Sequence, residues 1–283
     1  MKPTRREGKR IMTGKSCERV IILGIDGAGA YIKEADTPHI DGLLQSGSAT
    51  YGAQTVYPSN SGECWGSLLH GVGPEKHEAQ TYIKNNAQMP ASPAASSLFR
   101  RVKAAFPNSP AGAFVCWAPI LTGAIEPLDG VVKHAAPDAD LVPAIGAFIK
   151  EQPDFRLLFV QLDDVDAAGH KHGFGTAGQL QAITRADAQI GEIVQALAAA
   201  DLLDDSLIVV TTDHGGGGAR THDHGSDHPK DMTIFWGCRG PGVVAVDELV
   251  GVSIMDTAAV ALHALGLPLP ADWEAKLPEG LFL

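Results

Sequence analysis

A chain of 283 residues with 45% hydrophobic content can bury most of its apolar surface, as one large domain or two small ones. Its formal net charge of −11 at pH 7 argues against polymeric nucleic acid as a partner, because binders of a phosphate backbone carry a basic face. The sequence holds no apolar run of about 18 residues, so nothing is predicted to span a membrane.

Met1 to Cys17 is locally basic (Lys2, Arg5, Arg6, Lys9, Arg10, Lys15) and lacks both an apolar h-region and a cleavage pattern. A flexible basic tail is therefore expected over residues 1–18, followed by one domain over 19–283, since no Pro/Ser-rich linker or internal repeat divides the rest. Arg19–Ile25 is a short apolar run rich in β-branched residues, which predicts a strand buried on both faces, and it ends at Asp26-Gly27. Thr37 to Gly47 offers a cap, a proline in the first turn, apolar spacing and a terminal glycine, and so predicts a helix. Ala49–Val56 reads as a second strand that delivers the chain to Tyr57-Pro-Ser-Asn-Ser61.

Pro58 and Asn60 end that extended run, Glu63 fits a capping box with Asn60, and Cys64, Trp65, Leu68 and Leu69 recur at helix spacing. Ser61 thus sits just ahead of a helix and faces its positive end, which favours bound phosphate and a developing alkoxide. Taken alone, the stretch is better explained by a capping serine that does no chemistry. Ser96–Phe106 is a predicted amphipathic helix, Gly112–Trp117 a strand, Asp138–Gln152 a helix and Phe155–Leu162 a strand running into Asp163, Asp164 and Asp166. A long helix from about Thr176 to Leu203, a strand Ser206–Thr212 ending on Asp213-His214, a strand Met232–Trp236 and a helix Ser253–Leu265 complete the chain. Strand and helix alternating in this way predict an α/β fold with a largely parallel sheet covered on both faces.

Three of these strands end in an aspartate, Asp26, Asp166 and Asp213, and in a parallel sheet those ends share one edge, where ligand sites form. Converging carboxylates without counter-ions would repel one another, so basic groups or metal ions must lie among them. Six of the eleven histidines fall in the same part of the chain: His170, His172, His214, His222, His224 and His228. Aspartate mixed with neutral imidazole is ligand chemistry suited to zinc or manganese. The cysteines, Cys17, Cys64, Cys116 and Cys238, contain no Cys-x-x-Cys, and three lie beside a tryptophan, which suggests buried thiols in a reducing compartment, the cytoplasm by default.

Gly24-Ile-Asp26-Gly27, Pro58-Ser-Asn-Ser61, Asp166-Ala-Ala-Gly-His170, Asp213-His-Gly215 and His224-Gly225 resemble, in order and spacing, the alkaline phosphatase superfamily, and within it the type I phosphodiesterases and nucleotide pyrophosphatases. Thr37-Pro-His-Ile-Asp41 and Ser253-Ile-Met-Asp256 are similar to its early and closing helices, so the likeness extends over nearly all the chain from residue 19. The resemblance implies an alkaline-phosphatase-like three-layer sandwich and a metal-dependent phosphohydrolase domain over 19–283. It also implies two divalent metal sites, one of Asp166, His170 and His224 and one of Asp26, Asp213, His214 and the Ser61 hydroxyl, with zinc ahead of manganese. Ser61 would attack phosphorus in line to give a phosphoseryl intermediate. Because His222 and His228 lie on the same glycine-rich loop, they stand as alternatives to His224.

One departure bears on specificity. Pyrophosphatase-type relatives place an asparagine three residues after the nucleophile, and this chain has Cys64 there. Ser61 is followed by Gly-Glu-Cys-Trp, which excludes the formylglycine motif of sulfatases, and the chain lacks room for the inserted domain of a metal-dependent phosphoglycerate mutase. The expected activity is a phosphodiesterase or pyrophosphatase acting on a small phosphate ester. A phosphomonoesterase with the same site is the alternative, and an inactive metal-binding module the rival from another class. Contacts to the leaving group are expected from Glu75–Ser97 and from Trp117–Glu126, and the sequence specifies no oligomeric state.

Overall fold

The computed structural model describes residues 17–91, 95–246 and 249–282, so residues 1–16 of the expected 1–18 tail lie outside the described residues. Among the described residues, seven strands form one sheet: β1 Arg19–Ile25, β2 Ser48–Gln54, β3 Ala111–Val115, β4 Val131–Ala135, β5 Leu157–Leu162, β6 Ser206–Thr212 and β7 Thr233–Arg239. Their order is β2-β7-β6-β1-β5-β3-β4. The run β6-β1-β5-β3-β4 is parallel; β7 pairs antiparallel with β6, and β2 pairs antiparallel with β7 and so runs in the direction of the central strands.

The helices in chain order are α1 Pro38–Leu44, α2 Ser61–His70, α3 Pro74–His77, α4 Ala79–Lys84, α5 Leu98–Ala105, α6 Pro119–Gly123, α7 Asp138–Glu151, α8 Asp164–His172, α9 Ala177–Ala199, α10 Pro229–Met232 and α11 Asp256–Ala264. The central strands β1, β5 and β6 are buried along their whole length because both their faces are covered. Along β1, Val20 and Ile22 enter a core with Trp65 and Phe99 of α2 and α5 and with residues of α11. Ile21, Leu23 and Ile25 enter the opposite core with Ile145 and Phe148 of α7 and Ile183 and Ile190 of α9. The period of two along a strand divides its side chains between two layers of helix, which gives the three-layer arrangement.

Several expectations need correction. The edge strand β4 was not foreseen, and its half-exposed residues explain why, since an edge strand lacks the continuous apolar run of a buried one. The long helix stops at Ala199, before Leu203. Asn60 occupies the cap position of α2 without a side-chain capping bond. Its side chain lies instead against Gly225, where an added Cβ would stand 2.5 Å from Asn60 Oδ1. Cys116 is half-buried, whereas Cys17, Cys64 and Cys238 are buried, and all are free thiols.

Candidate active site

The carboxyl ends of β6, β1 and β5 lie side by side and present Asp213, Asp26 and Asp163. Asp166 was expected directly at a strand end; it stands instead in the first turn of α8, with His170 one turn later on the same face. The close approach of α8 to β1 depends on Gly27. Its φ of +69° suits glycine, and a Cβ there would lie 2.6 Å from Asp166 Oδ1. The Gly27 N–H donates to Asp213 Oδ1 at 3.0 Å, which ties the ends of β1 and β6 together.

Ser61 opens α2. Its Oγ lies 3.1 Å from His214 Nε2 and 3.4 Å from Asp26 Oδ1. Asp26 itself is held from behind: Trp65 Nε1 donates to its Oδ2 at 2.8 Å. That indole reaches over β1 because residue 24 is glycine, where a Cβ would come within 2.4 Å of the ring. His214 faces Asp213 Oδ2 at 3.3 Å and Asp26 Oδ1 at 3.4 Å. The donor atoms of Asp26, Asp213 and His214 all lie within 4.8 Å of one another, as do those of Asp166, His170 and His224.

The three histidines share one wiring. Nδ1 of His214 meets the carbonyl of Gly215 at 2.8 Å, that of His170 the carbonyl of His222 at 2.8 Å, and that of His224 the carbonyl of Ser59 at 2.9 Å. A carbonyl only accepts, so each Nδ1 carries the proton and each Nε2 is turned toward carboxylates. His170 Nε2 lies 3.2 Å from Asp166 Oδ2, and His224 Nε2 lies 3.8 Å from Asp166 Oδ1. Histidine metal ligands are oriented in this way, with the second ring nitrogen fixed by a main-chain acceptor.

The electrostatics are strained without a cation. Burial, with the charge of Asp166, pushes the Asp26 carboxyl up to about 7. Burial, with Asp26, holds Asp213 well above the usual carboxylate range. Burial also works to raise Asp166, but the hydrogen bond from His170 and the neighbouring imidazoles prevail and lower it. That bond raises His170 to about 9, while burial lowers His224 to about 4. Within the two donor groups, two carboxylate oxygens, Asp166 Oδ1 and Asp213 Oδ2, are buried with no hydrogen-bond partner. One belongs to each donor group, and a buried anionic oxygen without a donor is costly unless a cation meets it. The residues present therefore fit divalent metal ions.

A cavity of about 400 Å³ opens over this floor. Its lining combines Asp163, Asp166, His170 and His224 with Asn60, Ser61 and Gly62, and with Gln80, Lys84 and Trp117. The last three fall within the two segments expected to face the leaving group, although no motif singled them out. Trp65 and Gln161, which hold Asp26, were missed as well; the only trace of Gln161 was one polar residue in an apolar strand.

Other candidates lie elsewhere. His222 is exposed; its carbonyl meets His170 Nδ1 and its own Nδ1 lies 3.1 Å from the His170 carbonyl, so its ring is tied to main chain, while the His228 ring accepts from the Lys230 N–H and caps α10. His172 is exposed. His70 is buried between the carbonyls of Ala95 and Ala124, and His77 pairs with Ser67 Oγ at 3.0 Å, so both are structural. Cys64 points into the core beside the Val56 carbonyl and does not line the cavity.

The same architecture recurs in known structures. Murine ectonucleotide pyrophosphatase/phosphodiesterase 5 aligns with a TM-score of 0.68 at 14% identity, covering 90% of this chain and 97% of that one. An inactive variant of that protein in complex with AMP aligns with a TM-score of 0.70 at 14% identity over the same shares of both chains. The lipoteichoic acid synthase LtaP from Listeria monocytogenes aligns with a TM-score of 0.67 at 16% identity, covering 95% and 76%. At such identities these likenesses speak for the fold. No curated protein sequence matches the chain. The family model described as type I phosphodiesterase / nucleotide pyrophosphatase matches residues 99–240, a span that holds Asp166, His170, Asp213, His214 and His224. Asp26 and Ser61 precede that span and reach it through β1 and α2. With half of its length matched, this chain belongs to the type I phosphodiesterase / nucleotide pyrophosphatase family, metal-dependent hydrolases of phosphoric esters.

Proposed function

We propose that the chain is a phosphodiesterase or nucleotide pyrophosphatase for a small phosphate ester, with Ser61 as nucleophile and residues 19–283 acting as one catalytic domain. The observation that carries this reading is the position of Ser61 Oγ, at the start of α2 and within 3.4 Å of Asp26 and His214. One ion would be held by Asp26, Asp213, His214 and the Ser61 hydroxyl, a second by Asp166, His170 and His224. Zinc suits this mixture of carboxylate and imidazole best, with manganese next. When bound, the ions would supply the positive charge that eases deprotonation of Ser61 and stabilises the oxygens around phosphorus.

The chain's own groups do the rest. Main-chain N–H groups in the first turn of a helix have no intrahelical partner, so those at the head of α2 would hold phosphoryl oxygens, and the dipole of the helix favours the negative charge there. The bond from Ser61 Oγ to phosphorus forms as the bond to the ester oxygen breaks, and the leaving group takes a proton from solvent. Water then cleaves the phosphoseryl bond and restores the hydroxyl. Lys84, the one lysine or arginine lining the cavity among the described residues, can meet a second anionic group, and Trp117 offers an aromatic face.

A phosphomonoesterase is the second reading, favoured by the burial of Cys64, which leaves no side chain to hold a phosphoryl oxygen from that position. Rates on bis-p-nitrophenyl phosphate and p-nitrophenyl phosphate separate the two. Ser61→Ala should abolish turnover and leave metal content intact; full activity in that variant refutes the nucleophile. The free thiols support a cytoplasmic setting, testable by fractionation.

A further inference from the structure

Gln161 is a polar residue within β5, whose other residues are Leu157, Leu158, Phe159, Val160 and Leu162, and it is completely buried. A primary amide in such a place costs free energy unless each of its groups is paired. Here both ends are used twice. Oε1 accepts from the N–H groups of Cys116 at 3.0 Å and Trp117 at 2.9 Å. Nε2 donates to Asp26 Oδ2 at 2.9 Å and to Asp163 Oδ1 at 2.8 Å. Only one orientation of the amide satisfies this set, because the flipped one sets oxygen against two carboxylates and NH₂ against two N–H donors.

We propose that Gln161 is a positioning residue that locks the cation-facing orientation of Asp26 and, through the same amide, fixes the cavity wall at Trp117 and Asp163. The inference rests on the proposed function, in which Asp26 holds a cation. Gln161 and Trp65 both donate to Asp26 Oδ2, so the carboxylate cannot rotate, and Oδ1 alone faces Ser61 and His214. Partners of this kind set ligand orientation and basicity in metal sites. At the other end, the Cys116 N–H is shared with the main-chain carbonyl of Gln161, whereas the Trp117 N–H is held by the side chain. Trp117 is the second residue after β3, at the point where the chain turns into the cavity wall.

Two variants separate the two ends. Gln161→Glu keeps an acceptor for Trp117 and loses the paired donors to Asp26 and Asp163, whereas Gln161→Met loses both. Chelator-treated protein is titrated with Zn²⁺ or Mn²⁺ by calorimetry, and KM and kcat are measured on bis-p-nitrophenyl phosphate. Gln161→Glu should bind cation about 10- to 100-fold more weakly with KM unchanged. Gln161→Met should show the same weakening together with a several-fold rise in KM. Leu157→Val, on the same face of β5 and outside this network, reports what a mere packing change does to cation affinity.

Wild-type cation affinity in both variants, or a loss matched by Leu157→Val, overturns the proposal. Should Gln161→Met fail to fold, Gln161→Glu decides the Asp26 end alone. A wild-type protein that binds no cation refutes the proposed function itself, an outcome distinct from wild-type binding that position 161 does not affect.

Discussion

Asp26, Asp213 and His214 are at most 1% exposed, while the side chains of Asp166, His170 and His224 are 14%, 43% and 12% exposed. The donor chemistry of the two groups is similar, but the scaffolding differs. The inner group hangs on the ends of β1 and β6, braced by Gly27, Trp65 and Gln161, whereas the outer group rides on α8 and the loop before α10. An inner anion has no water to fall back on, so a cation bound there would contribute to folding as well as chemistry, whereas one bound by the outer group would exchange with solvent. Similar ligands can thus make one anchored site and one exchangeable site beside a single hydroxyl.

The largest effect expected from this contrast is at Asp213. Asp213→Ala should lower kcat/KM about 10³-fold, the scale of several kcal/mol of charge stabilisation, measured on bis-p-nitrophenyl phosphate. A smaller loss than that of His170→Ala would break the distinction. His170→Ala should come next, weakening cation binding by about 10- to 100-fold in a competition titration, with little change in thermal stability. Equal destabilisation in the two variants would argue that both sites anchor the fold.

Third is the pH dependence of the metal-free protein. Asp26 and Asp163 are raised from 3.8 to about 7, so they retain protons that the unfolded chain has released. Stability should therefore fall as pH rises from about 4 to about 7. His170, raised from 6.5 to about 9 by its bond to Asp166, adds stability that is complete below 6.5 and lost as pH rises through about 9. Zinc at about a hundred times its Kd should restore about 2.7 kcal/mol and flatten this decline. Melting temperatures of chelated and loaded protein across that range test it, and identical curves would contradict it. The smallest effect is Lys84→Ala, which should raise KM roughly fivefold for a substrate with a second negative charge and leave a singly charged diester unaffected.

Much of the site was visible in the sequence because its anchors follow local rules. An apolar β-branched run that ends on Asp-Gly or Asp-His marks a buried strand and the polar residues just beyond it, as at Asp26 and Asp213. Asp166 and His170 share a helix face at a spacing of four. Trp65 and Gln161 gave no such sign, since an indole at helix spacing and a glutamine in a strand look like core until the partner is known. The choice among His222, His224 and His228 was open for the same reason. Only the path of the glycine-rich loop turns His224 toward Asp166.

The sequence alone determined the alternation of strand and helix, the position of Ser61 at the head of α2, and the carboxylates that close β1 and β6, because period and capping act over a few residues. The strand order, the adjacency of β6, β1 and β5, and the bracing of Asp26 by Trp65 and Gln161 were decided by the tertiary structure. Those contacts join residues 39 and 135 positions apart in sequence, and nothing short of packing the whole sheet specifies them.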